Sequence, residues 1–177
     1  MGSIILSYMA LHLIIDGYNL IRQSPELQEL DARELEAGRA ALLARLAAYR
    51  ERGPQKITVV FDGWLSGDLK ETRDRQRGLL IIFSRRGEKA DQVIKRLLAL
   101  EGPRAVVVTS DREIQTWARG AGAAWISATQ FERRYLLDRE PEAGEEPEES
   151  RDHRLKKGPA RRLPKDQRRR QQRLKKL

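Results

Sequence analysis

Four aspartates stand where an apolar segment ends or where the next helical pattern begins: Asp16 in LIIDG, Asp62 in VVFDG, Asp91 in EKADQ and Asp111 in VTSDR. Carboxylates brought together repel one another unless a cation lies between them, and a donor set made only of oxygen selects Mg²⁺ or Mn²⁺. An ion held this way lowers the pKa of a bound water and stabilises the charge that develops during phosphodiester hydrolysis. Each aspartate also has an ordinary structural use. Asp-Gly after a strand is a common turn, which accounts for Asp16 and Asp62 taken singly. An acid in the first turn of a helix, such as Asp91, is favoured by the helix dipole. Ser110 with Glu113 forms an S-x-x-E pattern that predicts a capping box, with Asp111 as an acidic first-turn residue. Four such coincidences at one place in a fold are hard to obtain by chance, so the elements that carry them decide the matter.

Those elements alternate. Leu11 to Ile15 and Lys56 to Phe61 are short apolar runs that stop at Asp-Gly; Leu79 to Phe83, Ala105 to Thr109 and Ala123 to Ile126 predict three further strands. Between them, Ala32 to Arg52, Ala90 to Leu100, Arg112 to Arg119 and Gln130 to Leu137 show helical spacing, and Gly53-Pro54 is a strong stop for the first. Leu65 to Gly78 is polar and basic and is expected as a loop. Nearly continuous apolar strands alternating with helices predict an α/β fold of three layers around a mostly parallel sheet. Ligands of such sheets bind outside the carboxyl ends of the strands. Asp16, Asp62, Asp91 and Asp111 all fall on that edge.

Composition narrows the class. With 177 residues, 40% of them hydrophobic, one globular domain is expected, and residues 9–137 supply it. Cysteine is absent, which excludes disulfides and thiolate metal sites and fits a cytoplasmic setting. No run of about 18 apolar residues exists, so no membrane span is expected. Met9 serves as well as Met1 for a start, which would make residues 1–8 an upstream extension. Charge comes in blocks: residues 151–177 hold 13 Lys/Arg against 2 Asp/Glu, residues 138–150 hold 1 against 7, and the remainder carries a net of +4. The acidic block reads as a linker and the basic block as a tail, disordered or conditionally helical, that binds a polyanion.

The segments LIIDGYNLI (13–21), VVFDG (59–63), FSRRGEKADQVIKRLL (83–98), VVVTSDREI (106–114) and GAAWISATQFE (122–132) together resemble the YacP-like branch of the NYN domains, relatives of the PIN-domain nucleases. The resemblance covers residues 10 to 137 and implies a PIN-like fold and a metal-dependent endoribonuclease. It also implies action on messenger RNA in association with the ribosome, as for bacterial members of the branch. It further implies that Asp16, Asp91 and Asp111 are metal ligands, with Asp62 a further acidic member. Asn19 would orient Asp16 or a phosphate, and Ser110 would support the site.

Arg73, Arg75 and Arg77, after the second strand, and Arg85, Arg86 and Lys89, in the loop before Asp91, are candidate phosphate contacts. Tyr18 and Trp64 follow the two Asp-Gly pairs, where each suits either stacking on an unpaired base or packing a loop at the rim. A dehalogenase-type phosphatase would need D-x-D after the first strand, where position 18 is Tyr; no strand is followed by a glycine-rich phosphate loop. Two other readings remain: a non-catalytic RNA- or ribosome-binding factor acting through the tail, and a PIN-type nuclease directed at tRNA or rRNA.

Overall fold

The structure, a computed structural model, describes residues 10–63, 68–137 and 165–177. The N-terminal extension, Trp64, the acidic linker and the first half of the basic tail lie outside the described residues. In chain order the elements are β1 (His12–Asp16), α1 (Gly17–Gln23), α2 (Pro25–Arg33), α3 (Leu35–Arg50), β2 (Lys56–Phe61), β3 (Thr72–Gln76), β4 (Leu79–Phe83) and α4 (Ala90–Glu101). A 3₁₀ turn (Gly102–Arg104) leads to β5 (Ala105–Val108), α5 (Arg112–Gly120), β6 (Ala124–Ile126) and α6 (Ala128–Phe131). A π-helical turn (Glu132–Leu136) follows, and α7 (Lys165–Leu174) comes last.

The strands form one sheet in the order β3-β4-β2-β1-β5-β6, parallel except for β3. Side chains alternate between its two faces, as strand geometry requires. Leu13, Ile15, Val59, Phe61 and Val106 pack with α1, α2, α3 and α6, while Ile14, Val60, Ile82 and Val107 pack with α4 and α5. This is the expected three-layer α/β architecture. From β1 the chain works outward through β2 to β4, then returns to place β5 on the other side of β1. The carboxyl ends of β1 and β5 therefore flank the point where strand order reverses, the crevice in which parallel sheets bind ligands.

Several local expectations are corrected. The segment Leu65 to Gly78 is not all loop: Thr72–Gln76 is an antiparallel edge strand whose charges on both sides hide its period, joined to β4 by Arg77-Gly78. Both turn residues have positive φ, 49° and 78°, as a tight two-residue hairpin demands. The helix expected from Ala32 begins at Leu35, because Glu34 is extended (φ −155°) and separates it from α2. Asp16-Gly17 is not a turn either: β1 runs straight into α1. Gly17 is needed because a Cβ there would lie 2.4 Å from the Phe61 ring. The closing helix begins earlier than Gln130, where Ser127 caps α6 by accepting from the Gln130 N–H at 3.2 Å.

The tail contains a helix, and that helix is docked on the body. Leu174 and Leu177 pack against the first core cluster. Tyr49 donates to the Leu177 carbonyl and Tyr135 to that of Leu174, both at 2.8 Å. Arg170 donates to the Trp125 carbonyl at 3.0 Å and stacks its guanidinium 3.6 Å from the indole centroid. An uncovered edge strand is a liability, and α7 covers β6. Removing residues 165–177 exposes this apolar contact and deprives the buried Tyr49 and the half-buried Tyr135 of acceptors. The thermal midpoint should fall by roughly 3–10 °C, on the order of 1–3 kcal/mol; an unchanged melting curve would show that the helix adds nothing to the fold.

Candidate active site

The three parallel strands β1, β5 and β4 deliver Asp16, Asp111 and Asp91 to one edge, each at or near a helix start. Asp16 is the last residue of β1 and the N-cap of α1; its Oδ1 accepts the Asn19 N–H at 3.3 Å. Asp111 is the N-cap of α5 and accepts the N–H groups of Glu113 (2.7 Å) and Ile114 (3.1 Å) through Oδ1. The capping box expected of Ser110 and Glu113 does not form, because the aspartate takes the cap itself. Ser110 Oγ instead accepts from the Ala128 N–H at 3.2 Å, tying the β5 exit to α6. Asp91 lies in the first turn of α4, where the dipole favours its charge.

A hydrogen-bonded bridge crosses the β1–β5 crevice. The Thr109 hydroxyl donates to Asp16 Oδ2 at 3.1 Å and accepts from the Asp111 N–H at 3.1 Å. One rotor thus fixes the spacing of two acids. Asn19 adds a second tie, its Oδ1 accepting the Ser110 N–H at 2.8 Å. Thr109 was not singled out from the sequence; its signal was a hydroxyl at the end of an otherwise apolar strand, directly before Ser-Asp. Ser84 plays a similar part on the other side. It accepts the Gly63 N–H at 2.9 Å and donates to the Glu88 carbonyl at 2.6 Å, joining the β2 exit to the approach of α4.

The acids sense one another. Burial pushes the Asp16 carboxyl from its ordinary value near 3.8 up to about 6, against the opposing Asn19 and Thr109 hydrogen bonds, and the charges of Asp91 and Asp111 add to the rise. Burial also raises Asp91, helped by Asp111, while Lys95 and Lys89 pull the other way. Asp62 stands half-buried at the exit of β2. As the side chains stand, no three acidic or histidine groups among the described residues close around a common point. Capping leaves the carboxylates with further lone pairs to offer, since each oxygen can accept more than one bond.

The candidate cations separate into two sets. Arg85, Arg86 and Lys89 lie on the acid edge, but Arg85 pairs at 3.5 Å with the buried Glu88, which also binds Arg96. Arg73 is held by Glu71 at 2.7 Å. Arg75 lies along the exposed edge strand, and Arg77 sits in the hairpin at the opposite end of the sheet from the acids, because β3 runs antiparallel. Of these six, Arg86 and Lys89 are exposed on the acid edge alongside Arg85. Tyr18, in the first turn of α1, packs edge-on against Phe61, centroids 5.2 Å apart.

The profile of the YacP-like NYN domain matches residues 13–176. The chain belongs to that family. The match to the YacP-like NYN domain runs past the globular core and takes in α7. The chain is 33% identical over 124 residues to the uncharacterized protein YacP of Bacillus subtilis (strain 168), which spans 68% of this chain and 72% of that protein. It is also similar to the crystal structure of Rae1 (YacP) from Bacillus subtilis, with a TM-score of 0.55 and 34% identity over 73% of this chain and 72% of that one. A mutant form of Rae1 (YacP) gives a TM-score of 0.58 at 30% identity, over 72% and 73% of the two chains. The YacP-like NYN family is of nuclease type and acts on RNA, and the acids lie at the crevice where such a fold binds its ligand.

The raised pKa of Asp16 makes a pH prediction. Between about pH 4 and 6 the folded chain keeps the Asp16 proton after the unfolded chain has lost it, so the stability this proton confers is present at low pH and lost as pH rises through that window. Asp16→Asn retains a capping oxygen and removes the charge. It should be more stable than the parent at pH 7, on the order of 2 kcal/mol, with the advantage vanishing near pH 4. Thermal melts across pH check this; parallel curves for the two proteins would contradict it.

Proposed function

We propose that this chain is a divalent-metal-dependent endoribonuclease of the cytoplasm that hydrolyses phosphodiester bonds in messenger RNA in association with the ribosome. The observation that carries the reading is the Thr109 bridge that holds Asp16 and Asp111 together at the β1–β5 crevice, with Asp91 beside them and its charge, like that of Asp111, helping burial to raise the Asp16 carboxyl. A cation would relieve that repulsion, and an all-oxygen donor set suits Mg²⁺ or Mn²⁺. Asp16, Asp91 and Asp111 would hold it, with Asp62 as a further acidic member from the neighbouring strand exit. Such an ion supplies a water of lowered pKa and charge neutralisation at the phosphate.

The chain's own groups do the positioning. Thr109 and Asn19 hold Asp16 and the Ser110-Asp111 backbone in one spacing, which fixes where a phosphate must lie to meet both. The N-termini of α4 and α5 point toward the same crevice and favour negative charge there. Arg86 and Lys89, exposed on the acid edge, would contact the phosphates flanking the scissile bond without reading sequence. On α7 and the residues just after it the docking side uses Arg170, Arg173, Leu174 and Leu177, while Arg168, Arg169 and Lys175 are exposed. That exposed side is a fixed basic surface suited to ribosomal RNA backbone rather than a loose arm.

The test is cleavage of purified messenger RNA with Mg²⁺ or Mn²⁺, with and without ribosomes. Asp16→Asn and Asp111→Asn should each lower cleavage by about 100-fold or more, ~3 kcal/mol of transition-state stabilisation, while RNA or ribosome binding persists. Full cleavage by both variants would exclude the acids as the reacting centre. Binding by the parent with no cleavage under any of these conditions would identify a binding factor instead.

A further inference from the structure

Trp117 has no part in the site described so far, and its setting is unusual for a tryptophan. Of the two tryptophans among the described residues, Trp125 is buried beneath Arg170, whereas Trp117 is 49% exposed. It lies on α5, one turn beyond Glu113 and six residues from the Asp111 cap, which is about 9 Å along the helix axis. The neighbouring helix α4 leans across to it: Lys95, one turn beyond Asp91, places its ammonium 5.4 Å over the indole centroid and pairs with Glu113. The two helices that bear Asp91 and Asp111 thus share, one turn or more further on, a cation and an open aromatic surface. Ile114 and Ala118 bury the adjacent side of α5, so the indole borders the core without belonging to it.

A nuclease whose site is lined with carboxylates must hold a polyanion against its own charge. Cations close to the acids oppose the phosphate repulsion only in part, and more of them would compete for the carboxylates. A neutral aromatic surface adds affinity without that conflict, because every unpaired base has a π-face to offer. Lys95, held by Glu113, lies over one face of the indole, and Trp117 still keeps 49% of its surface exposed for a base.

We propose that Trp117, with Lys95 above it, is a stacking platform for an unpaired RNA base adjacent to the scissile phosphate, and that it restricts cleavage to single-stranded segments. This deepens the nuclease reading and rests on it. In the intact chain, Trp117→Ala should raise KM for a short single-stranded oligoribonucleotide about tenfold, the usual loss for one stacked base, with kcat changed less than twofold; Trp117→Phe should recover most of the loss. Binding of that oligoribonucleotide should quench tryptophan fluorescence in the parent and do so much less in Trp117→Phe, while a duplex of the same sequence should quench neither. An unaltered KM and unaltered quenching in both variants would overturn the platform. So would a change confined to oligomeric state, which would assign the face to contact between copies. If the parent cleaves no RNA, the nuclease reading fails, yet quenching by the single strand still decides whether Trp117 stacks on a base.

Discussion

The buried carboxylate of Asp16 is the constraint around which the rest of the structure is arranged. It ends the central strand β1, caps α1, and stands beside the point where strand order reverses. Burial and two neighbouring acids make its charge costly, and two hydrogen bonds, from the Asn19 N–H and the Thr109 hydroxyl, offset only part of that cost. A fold designed for stability alone would place a neutral residue here. Keeping an aspartate stores repulsion at a crevice, and stored repulsion of this kind is what a cation relieves.

Neighbouring features follow from holding that group still. Gly17 is small because the Phe61 ring fills the space beside the β1–α1 junction, and Phe61 in turn stacks on Phe83 at the end of β4. Ser84 then couples the β2 and β4 exits through Gly63 and Glu88, and Glu88 is itself held by Arg85 and Arg96. The cations of this loop are thus divided between building the approach to Asp91 and remaining open to an anion. Far from the acids, α7 closes the sheet at β6, so the basic charge that dominates the tail is partly spent on carbonyls of the body and partly presented outward.

Much of this was legible in the residues. Apolar strands ending in Asp, the amphipathic Ala90 helix and the strict alternation of periods were enough for the layered sheet and for the edge that carries the acids. What stayed hidden has physical reasons. β3 is charged on both sides, so TRDRQ has no period to read. Helix α1 starts on a glycine chosen for a ring contact 44 residues away in sequence, which local propensity takes for a turn. The cap at α5 went to Asp111 and not Ser110 because Ser110 is drawn to α6, a contact set by tertiary packing. Docking of α7 rests on two leucines and on the Arg170 guanidinium lying over an indole, which a count of apolar residues overlooks. The placement of Arg77 away from the acids could be known only once β3 was seen to run antiparallel.

The central claim is that Asp16, Asp91 and Asp111 together make one divalent-cation site. Titration of the intact protein with Mn²⁺, followed by loss of the free-ion electron paramagnetic resonance signal, measures it without any RNA present. Saturable uptake is expected near pH 7, weakening as pH falls below about 6, where Asp16 takes up its proton, and lost in both Asp16→Asn and Asp91→Asn. Equal Mn²⁺ uptake by the parent and both variants would contradict it.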